Sequence, residues 1–382
     1  MVNSTPRYQK KSITHLAHNI FNWLINSLSL LFTSKVKSNT MNKLFLIIYT
    51  LFLLVAKSIS ADFVPPKLID NLNPKGTQTT YNMSRVEGWT LMSYIIDDSG
   101  IPQQIVVVNS SNNGIYTEDS IKYLQSFRFS PAIYLGQKTS SATTFLMKHD
   151  KSFSGNSNDG ISVGFSRRYD RANKFISEQK FDSALDVLNE LRETNTKNLT
   201  EQALSAWIHS LYYYRQENWL AYRDNILEAN QLREHLPVKM AIKNIQNLIQ
   251  WQMFQKEYSD AVYTLASMVK IKGAKMDAST HEAMLQPILN AMDTEEIIEI
   301  NTTLSKNKSW LHILPRSTIN LTTISGKVEL AELRCDNIWH PFESTTIVNF
   351  NIPESYLNCS ILVKGTSGTQ IKFVEQGKSR QF

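Results

Sequence analysis

The chain has 382 residues, which is enough for two or three domains that each bury a core. Hydrophobic residues make up 42% of it and charged residues 19%, a globular composition that excludes extended disorder. The net charge of +6 comes from 40 basic and 34 acidic residues without a run of five basic residues, so it does not indicate a nucleic-acid-binding protein.

Residues 41–61 are predicted to be an export signal. Lys43 gives a short basic start, and the apolar run Leu44–Ala56 and then small residues follow, in the order of a secretory signal peptide. A helix of thirteen residues spans only about 20 Å, less than the membrane core. We therefore expect export and cleavage after Ser60 or Ala61, with an uncleaved membrane anchor as the alternative.

Residues 1–40 precede this signal and do not fit the usual arrangement. The segment Phe21–Phe32 is apolar but is interrupted by Asn and Ser. Because signal peptides begin at the N-terminus, residues 1–40 are interpreted as a miscalled extension, with translation starting at Met41. The alternative is a two-pass or interfacial anchor.

A β-hairpin is predicted at residues 87–111. Two runs of β-branched and aromatic residues flank Asp97–Gly100, where the glycine can adopt a positive φ and the aspartate can bond its own backbone. A helix is then predicted at residues 115–127, because its apolar residues recur at the spacing of one helical face.

The helix is predicted to end at Phe127–Ala132. Pro131 favours an extended Ser130, and the turn around Gly136 leads to a last strand at residues 139–148.

This order of strand, turn, strand, helix, proline-containing segment and final strand resembles the C-terminal domain of the TonB energy-transducer family. The resemblance covers about a fifth of the chain and is assigned to a domain at residues 62–149. It depends on short motifs in a fixed order, namely Glu87-Gly88, Asp98-Ser99-Gly100, Ser110-Ser111, Phe127-Arg128-Phe129-Ser130-Pro131-Ala132 and Gly136.

The resemblance implies a periplasmic domain that pairs with an extended peptide of an outer-membrane transporter. The residues implied for the pairing strand are Ser140, Ser141, Ala142, Thr143, Thr144, Phe145, Leu146 and Met147. Those implied to support it are Gly88, Gly100, Phe127, Arg128, Phe129, Pro131 and Gly136, with plain core packing as the alternative for the two phenylalanines. The lead-in at residues 62–86 lacks the family's long Pro-rich spacer, so direct harvesting of the proton gradient is not implied.

A linker at residues 150–165 is followed by helical sequence. Phe181, Trp219 and Tyr258 each follow a polar turn and are 38 and 39 residues apart. This spacing resembles degenerate tetratricopeptide repeats over residues 166–315, in which the aromatic residue fills the groove between two helices. The spacing exceeds the standard repeat length, so another array of helical hairpins is the alternative.

The C-terminal part is predicted to be a small β-domain at residues 324–376. Four short strands are indicated by alternating apolar residues, at 326–335, 345–352, 358–364 and 370–374. A core of about 50 residues is small, so we expect a disulfide between Cys335 and Cys359, the two cysteines of the chain.

No pattern in the sequence indicates catalysis. The eight histidines are dispersed without metal-ligand spacing, and neither a phosphate-binding glycine loop nor a nucleophile motif occurs. We therefore predict no enzyme activity, no metal site and no cofactor. Tyr212–Tyr214, beside Trp207 and Trp219, are expected to be mainly interhelical core, with a partner-binding surface as the alternative.

Together these features predict an α+β protein: a TonB-like βαβ domain, a helical-hairpin array and a disulfide-linked β-module. The function predicted is that of a non-enzymatic periplasmic interaction protein, which binds an outer-membrane transporter or the transducer complex by β-strand addition. It would support transmembrane uptake, for example of siderophores, while the repeats bind a second protein. The alternative is an envelope scaffold whose TonB-like domain only docks or dimerises.

Overall fold

The fold is mixed α+β, and Phe63–Phe382 forms one compact unit. The computed structural model describes residues 63–72, 86–111, 114–150, 160–274, 276–306 and 308–379. The predictions for the leader, the signal peptide and its cleavage site concern residues outside these ranges.

The segment that the resemblance covers contains, in its described part, a three-stranded antiparallel sheet and one helix. The strands are β3 (Gly88–Ile96), β4 (Pro102–Ser110) and β8 (Ser141–His149), in the order β4-β3-β8, and the helix is α1 (Thr117–Gln125). The predicted hairpin is confirmed as β3 and β4. Gly100 in its turn has φ +82°, and a Cβ there would lie 1.9 Å from the carbonyl oxygen of Phe129, so only glycine fits.

Alternate residues of β3 belong to two different cores. Met92 and Tyr94 pack with Leu124 of α1 on one face of the sheet. Trp89, on the other face, belongs to the large core that also contains helices and strands from the C-terminal half, and Leu91 packs against this core. This sheet is therefore covered on both faces, which explains why eight of the nine β3 residues are buried.

Two small antiparallel ribbons lie beside this sheet. β1 (Phe63–Val64) pairs with β6 (Ala132–Tyr134), which pairs with β7 (Gln137–Thr139). β2 (Lys67–Asn71) pairs with β5 (Phe127–Ser130). The predicted lead-in thus contributes two strands, and its partners are the residues that follow α1.

Three helical hairpins and a further helix follow. Their bounds are α2 (Val163–Ser177), α3 (Phe181–Glu190) with a π-helical turn at Leu191–Asn195, α4 (Leu199–Arg215), α5 (Trp219–Gln231) with a 3₁₀ turn at Arg233–His235, α6 (Val238–Phe254), α7 (Tyr258–Met268) and α8 (Ala278–Thr294). The second helices of the hairpins, α3, α5 and α7, begin at the three aromatic residues that the sequence singled out. Tyr258 is buried, Phe181 is half-buried and Trp219 is exposed, so only the tyrosine is fully enclosed.

The three hairpin turns have the same backbone structure. Gln179, Glu217 and Lys256 have left-handed φ values of 58°, 53° and 62°. In each turn the next amide donates to the carbonyl five residues back, at 2.8–3.0 Å, which is the Schellman arrangement. The repeat is thus defined by a helix end as well as by the aromatic residue.

Glycine is expected to stabilise these turns, because a side chain in the left-handed region costs about 1 kcal/mol. We expect Glu217→Gly to raise the free energy of unfolding by about 0.5–1 kcal/mol in urea titrations. The matched control is Gln216→Gly, since Gln216 has φ −92° and glycine there should lower that free energy by a similar amount. A loss of stability in both variants would contradict the role assigned to the left-handed residue.

The C-terminal part contains two four-stranded antiparallel sheets. The strands are β9 (Ile297–Thr303), β10 (Ser309–Ile313), β11 (Arg316–Ser325), β12 (Val328–Arg334), β13 (Trp339–Pro341), β14 (Ile347–Asn351), β15 (Ser360–Gly365) and β16 (Gln370–Ser379). They are ordered β10-β15-β12-β13 and β14-β11-β16-β9.

The β-structure begins earlier than the sequence patterns indicate. The helices end at Thr294 rather than near residue 315, and the eight strands span 297–379 rather than 324–376. The physical reason is a period of two in β9, where Ile298 and Ile300 are buried and Glu299 between them is exposed. The β-module therefore has a larger core than expected.

The predicted disulfide between Cys335 and Cys359 is confirmed. Cys335 follows β12 and Cys359 precedes β15, and the adjacent residues Arg334 and Ser360 are register partners in the sheet. Both cysteines are fully buried. The bond thus extends an existing strand pair by one covalent link.

Candidate functional site

The edge of β8 that faces away from β3 is the candidate binding edge. The amide of Ala142 donates to the carbonyl oxygen of Cys335 at 2.9 Å, on the side opposite to β3. Because hydrogen-bonding direction alternates along a strand, Thr144 and Leu146 also direct their backbone groups to that side. No hydrogen bond from either amide to another described residue is found on that side.

The side chains around this edge divide between the two faces. Met147 is buried under α1, and Phe145 packs partly against the same core. Leu146 packs partly against the large core on the opposite face, and Thr144 is exposed. A partner strand would therefore meet accessible backbone at Thr144 while the neighbouring residues stay anchored.

Both ends of the candidate binding edge are occupied by other parts of the chain. Besides the Ala142 bond, the Thr139 hydroxyl donates to the carbonyl of Asn337 at 2.6 Å. At the far end Lys148 forms an ion pair with Glu234, and burial, with Arg233 nearby, lowers the pKa of Lys148 to about 8. The accessible part of the edge is thus short.

Gly88 and the end of β8 form one packed unit. A Cβ on Gly88 would lie 2.4 Å from the ring of Tyr116, which stacks on His149 with ring centroids 4.4 Å apart. The His149 Nε2 is 2.8 Å from the hydroxyl of Ser120, and burial lowers the pKa of His149 to about 4. Gly88 therefore serves the close packing of strand and helix.

The remaining residues implied by the resemblance have packing and turn positions. Phe127 and Phe129 are buried in the core beneath the sheet. The Arg128 guanidinium donates to the carbonyls of Gln125 and Phe127 at the end of α1. Half-buried Pro131 separates β5 from β6, and Gly136 has φ +79° in the turn after β6. These residues support the sheet but lie outside the candidate binding edge.

Arg334 joins the β4-β3-β8 sheet to the C-terminal strands. Its guanidinium pairs with Glu332 at 2.7 Å and donates to the hydroxyl of Ser93 at 3.0 Å and to the carbonyl of Gln104 at 2.8 Å. The side chains of Arg334 and Glu332 are almost completely buried. No local pattern indicates this contact, because Arg334 is more than 200 residues from both Ser93 and Gln104.

A buried ionisable cluster connects α7 with the C-terminal strands. The His312 Nδ1 lies 2.5 Å from a carboxylate oxygen of Asp260, and its Nε2 lies 2.8 Å from one of Glu375. The indole of Trp310 stacks on the His312 ring with centroids 5.0 Å apart, and it donates to Glu257 at 3.1 Å. No local pattern in the sequence indicates this cluster, since its members come from three distant segments.

The charges of this cluster shift one another's protonation. Burial alone would lower the pKa of His312, but the carboxylates of Asp260 and Glu375 outweigh it and raise that pKa well above 6.5. Burial raises the pKa of Glu375 and of Glu257, with the Asp260 charge adding to both shifts. Both ring nitrogens of His312 are hydrogen-bonded, so the cluster is suited to holding α7 against the C-terminal strands. The described residues contain no group of three or more His, Cys, Asp or Glu side chains that could hold a metal ion.

The aromatic residues of the helical array divide between core and surface. Tyr212 is buried, as expected for interhelical core, whereas Tyr214 is 53% exposed. Its ring contacts exposed Trp219, and Phe254 of α6 is 76% exposed beside Trp251. These rings form a continuous aromatic surface on the array.

None of the helices in the described part of the chain combines the length and apolar character needed to cross a membrane. A comparison with models of protein families gives no match, and a comparison with curated proteins gives none either.

Proposed function

We propose that this chain is a non-enzymatic interaction protein of the cell envelope that binds an extended polypeptide segment along β8. The observation that carries the proposal is the backbone of Thr144 and Leu146, which faces outward without a hydrogen-bond partner among the described residues. An extended peptide can complete such an edge as an additional strand. The anchored neighbours Phe145 and Met147 keep the edge in a fixed position.

The expected binding is weak and reversible. Each of the two residues offers one donor and one acceptor, and a backbone hydrogen bond contributes only about 0.5–1.5 kcal/mol net. Four such bonds contribute about 2–6 kcal/mol, from which the loss of translational and rotational freedom must be subtracted. Reversible contact suits a protein that engages a transporter during uptake.

The partner proposed is an outer-membrane transporter of the TonB-dependent class or the transducer complex itself. Three features support a periplasmic location: the signal-like sequence at residues 41–61, the strand order of the TonB-like sheet and a disulfide, which is compatible with an oxidising compartment. The second protein proposed for the helical repeats would contact the aromatic surface of Tyr214, Trp219 and Phe254.

A specific observation favours a second candidate, an envelope scaffold. Trp89 and Arg334 tie the TonB-like sheet to the rest of the compact unit, and Ala142 is already bonded to Cys335. A sheet that is built into a larger unit in this way can serve mainly to hold that unit together. The two candidates differ in whether the outward amides of β8 ever bind a peptide.

Thr144→Pro is the variant that separates the two candidates. Proline removes the outward amide but leaves the amides that face β3, and edge strands tolerate proline on their solvent side. We expect Thr144→Pro to weaken binding at least about tenfold, because one bond is lost and the ring obstructs the added strand. The assay is fluorescence anisotropy with synthetic peptides from the N-terminal plug segments of the host's TonB-dependent transporters.

The controls are Thr144→Val and Phe145→Pro. The valine variant keeps the amide and should bind as the wild type does. The proline at Phe145 removes an amide that faces β3, and it should lower the free energy of unfolding, which Thr144→Pro should leave nearly unchanged. Equal binding by the wild type and Thr144→Pro, or no binding of any plug peptide, would favour the scaffold.

A further inference from the structure

Large apolar side chains are exposed on the two ribbons beside the TonB-like sheet. We call this region the apolar arm, residues 63–72 and 132–138. Its most exposed apolar side chains, with their exposed fractions, are Val64 (40%), Ile69 (70%), Leu72 (61%), Ile133 (38%) and Leu135 (64%). Single exposed apolar residues are ordinary on a protein surface, whereas five among seventeen residues are an unusual concentration.

The backbone register explains why part of the patch is contiguous. Val64 of β1 is the register partner of Ile133 of β6, so their side chains share one face of the ribbon. Ala132, the neighbour of Ile133, is fully buried, which directs the isoleucine outward. Leu135 follows at the turn before Gly136, at the tip of the ribbon.

Basic side chains accompany these apolar residues. Lys138 is the register partner of Ile133, and Lys67 begins β2, and both lysines are exposed. The arm contains one acidic residue, Asp70, whose carboxylate accepts the amide of Asn71 at 2.7 Å. Apolar side chains with flanking lysines are the combination that binds anionic lipid surfaces.

The sequence places the arm next to the apolar run Leu44–Ala56. Only residues 57–62 separate this run from Phe63, and six extended residues reach at most about 20 Å. If the run stays in a membrane as an uncleaved anchor, the apolar arm is held within that distance of the membrane. The short distance to the apolar run and the two lysines therefore both favour a membrane surface as the binding partner of the arm.

We propose that the apolar arm lies on a membrane surface that contains anionic lipid. The side chains of Ile69, Leu72 and Leu135 reach the boundary between head groups and acyl chains, while Lys67 and Lys138 contact lipid phosphates. The backbone stays at head-group level, because an open strand edge cannot enter the hydrocarbon region without losing hydrogen bonds. This binding does not involve β8, so it is independent of the proposed peptide partner.

The test uses an environment-sensitive fluorophore attached to single introduced cysteines in the full-length chain. Ile69→Cys and Leu135→Cys report on the arm, and Val348→Cys, at a 71% exposed position of β14, is the control. The native cysteines are buried in the disulfide and should not react. The labelled proteins are mixed with phosphatidylethanolamine vesicles that contain phosphatidylglycerol, with and without a quencher carried on the acyl chains.

Both arm labels are expected to shift to the blue and to lose emission with the lipid quencher, whereas the Val348→Cys label does neither. Adding Lys67→Glu and Lys138→Glu should weaken the shift on the same vesicles. Arm labels that behave like the control would overturn the proposal. A blue shift without lipid quenching would also overturn it, since the arm would then be covered by protein, either another segment of this chain or a second copy.

Discussion

His312→Leu is expected to lower the free energy of unfolding by about 3–5 kcal/mol, because it leaves buried carboxylates without their cationic partner. In the wild type His312 lies between Asp260 and Glu375, with distances of 2.5 Å and 2.8 Å. Leucine fills a similar volume, so the loss reflects charge rather than a cavity. Urea unfolding at neutral pH measures it.

The matched control is His340→Leu. His340 is half-buried against the rings of Phe342 and Phe350, so its replacement should cost less than about 1 kcal/mol. Equal losses in the two variants would show that the charge pairs of His312 do not stabilise the folded protein.

The same cluster predicts how stability depends on pH. The pKa of His312 is raised well above 6.5, so the folded protein holds a proton that the unfolded chain releases. The histidine's contribution is therefore complete below pH 6.5 and is lost as the pH rises through the folded-state pKa. The raised pKa values of Glu257 and Glu375 act in the same direction from pH 4.5 upward. Urea unfolding of the wild type should show a free energy that falls as the pH rises above 6.5, and a rising one would contradict this account.

Removing the disulfide is expected to have the second large effect. Cys335 and Cys359 are 24 residues apart, and closing such a loop stabilises a protein by about 3.5 kcal/mol through the entropy of the unfolded chain. We expect the double variant Cys335→Ser with Cys359→Ser to lose about that free energy in urea titrations. The wild type should lose a similar amount when it is unfolded in the presence of a reductant.

A second readout checks that the loss comes from the cross-link. Reductant should leave the midpoint of the double serine variant unchanged, because this variant contains no disulfide. An effect of less than about 1 kcal/mol in the double variant would mean that the enlarged β-domain holds the strands β12 and β15 together without a covalent bond.

Local sequence patterns were sufficient for several elements of this fold. The residues Asp97–Gly100 favour a tight turn over most other conformations, so the hairpin around them could be predicted. The three aromatic residues at 38- and 39-residue spacing located the hairpin turns, because a repeat places the same helix end in the same position each time. The two cysteines left one possible pairing.

Contacts between distant segments could not be predicted in this way. Nothing near Arg334 in the sequence indicates Ser93, and Asp260, His312 and Glu375 each resemble ordinary surface residues when taken alone. The extent of the β-domain was underestimated because the alternation in Ile297–Thr303 covers only a few residues, and helical and strand periods are difficult to distinguish over so short a segment.

For the candidate binding edge, local patterns predicted the position of the strand but not the hydrogen bond at its end. The sequence located its strand within one or two residues, since the final alternation before the linker is clear. It could not indicate that the carbonyl of Cys335 occupies the Ala142 amide, because that bond joins residues 193 positions apart. The accessible backbone is therefore shorter than the eight residues that the resemblance implied.

Amide hydrogen exchange along β8 tests the central claim most directly. In the free protein, the amides of Thr143 and Phe145 should be protected by pairing with β3, whereas those of Thr144 and Leu146 should exchange fast. A bound plug peptide should protect Thr144 and Leu146 and leave the other two amides unchanged. Protection of Thr144 and Leu146 already in the free protein, or fast exchange that a saturating peptide does not slow, would contradict binding by strand addition.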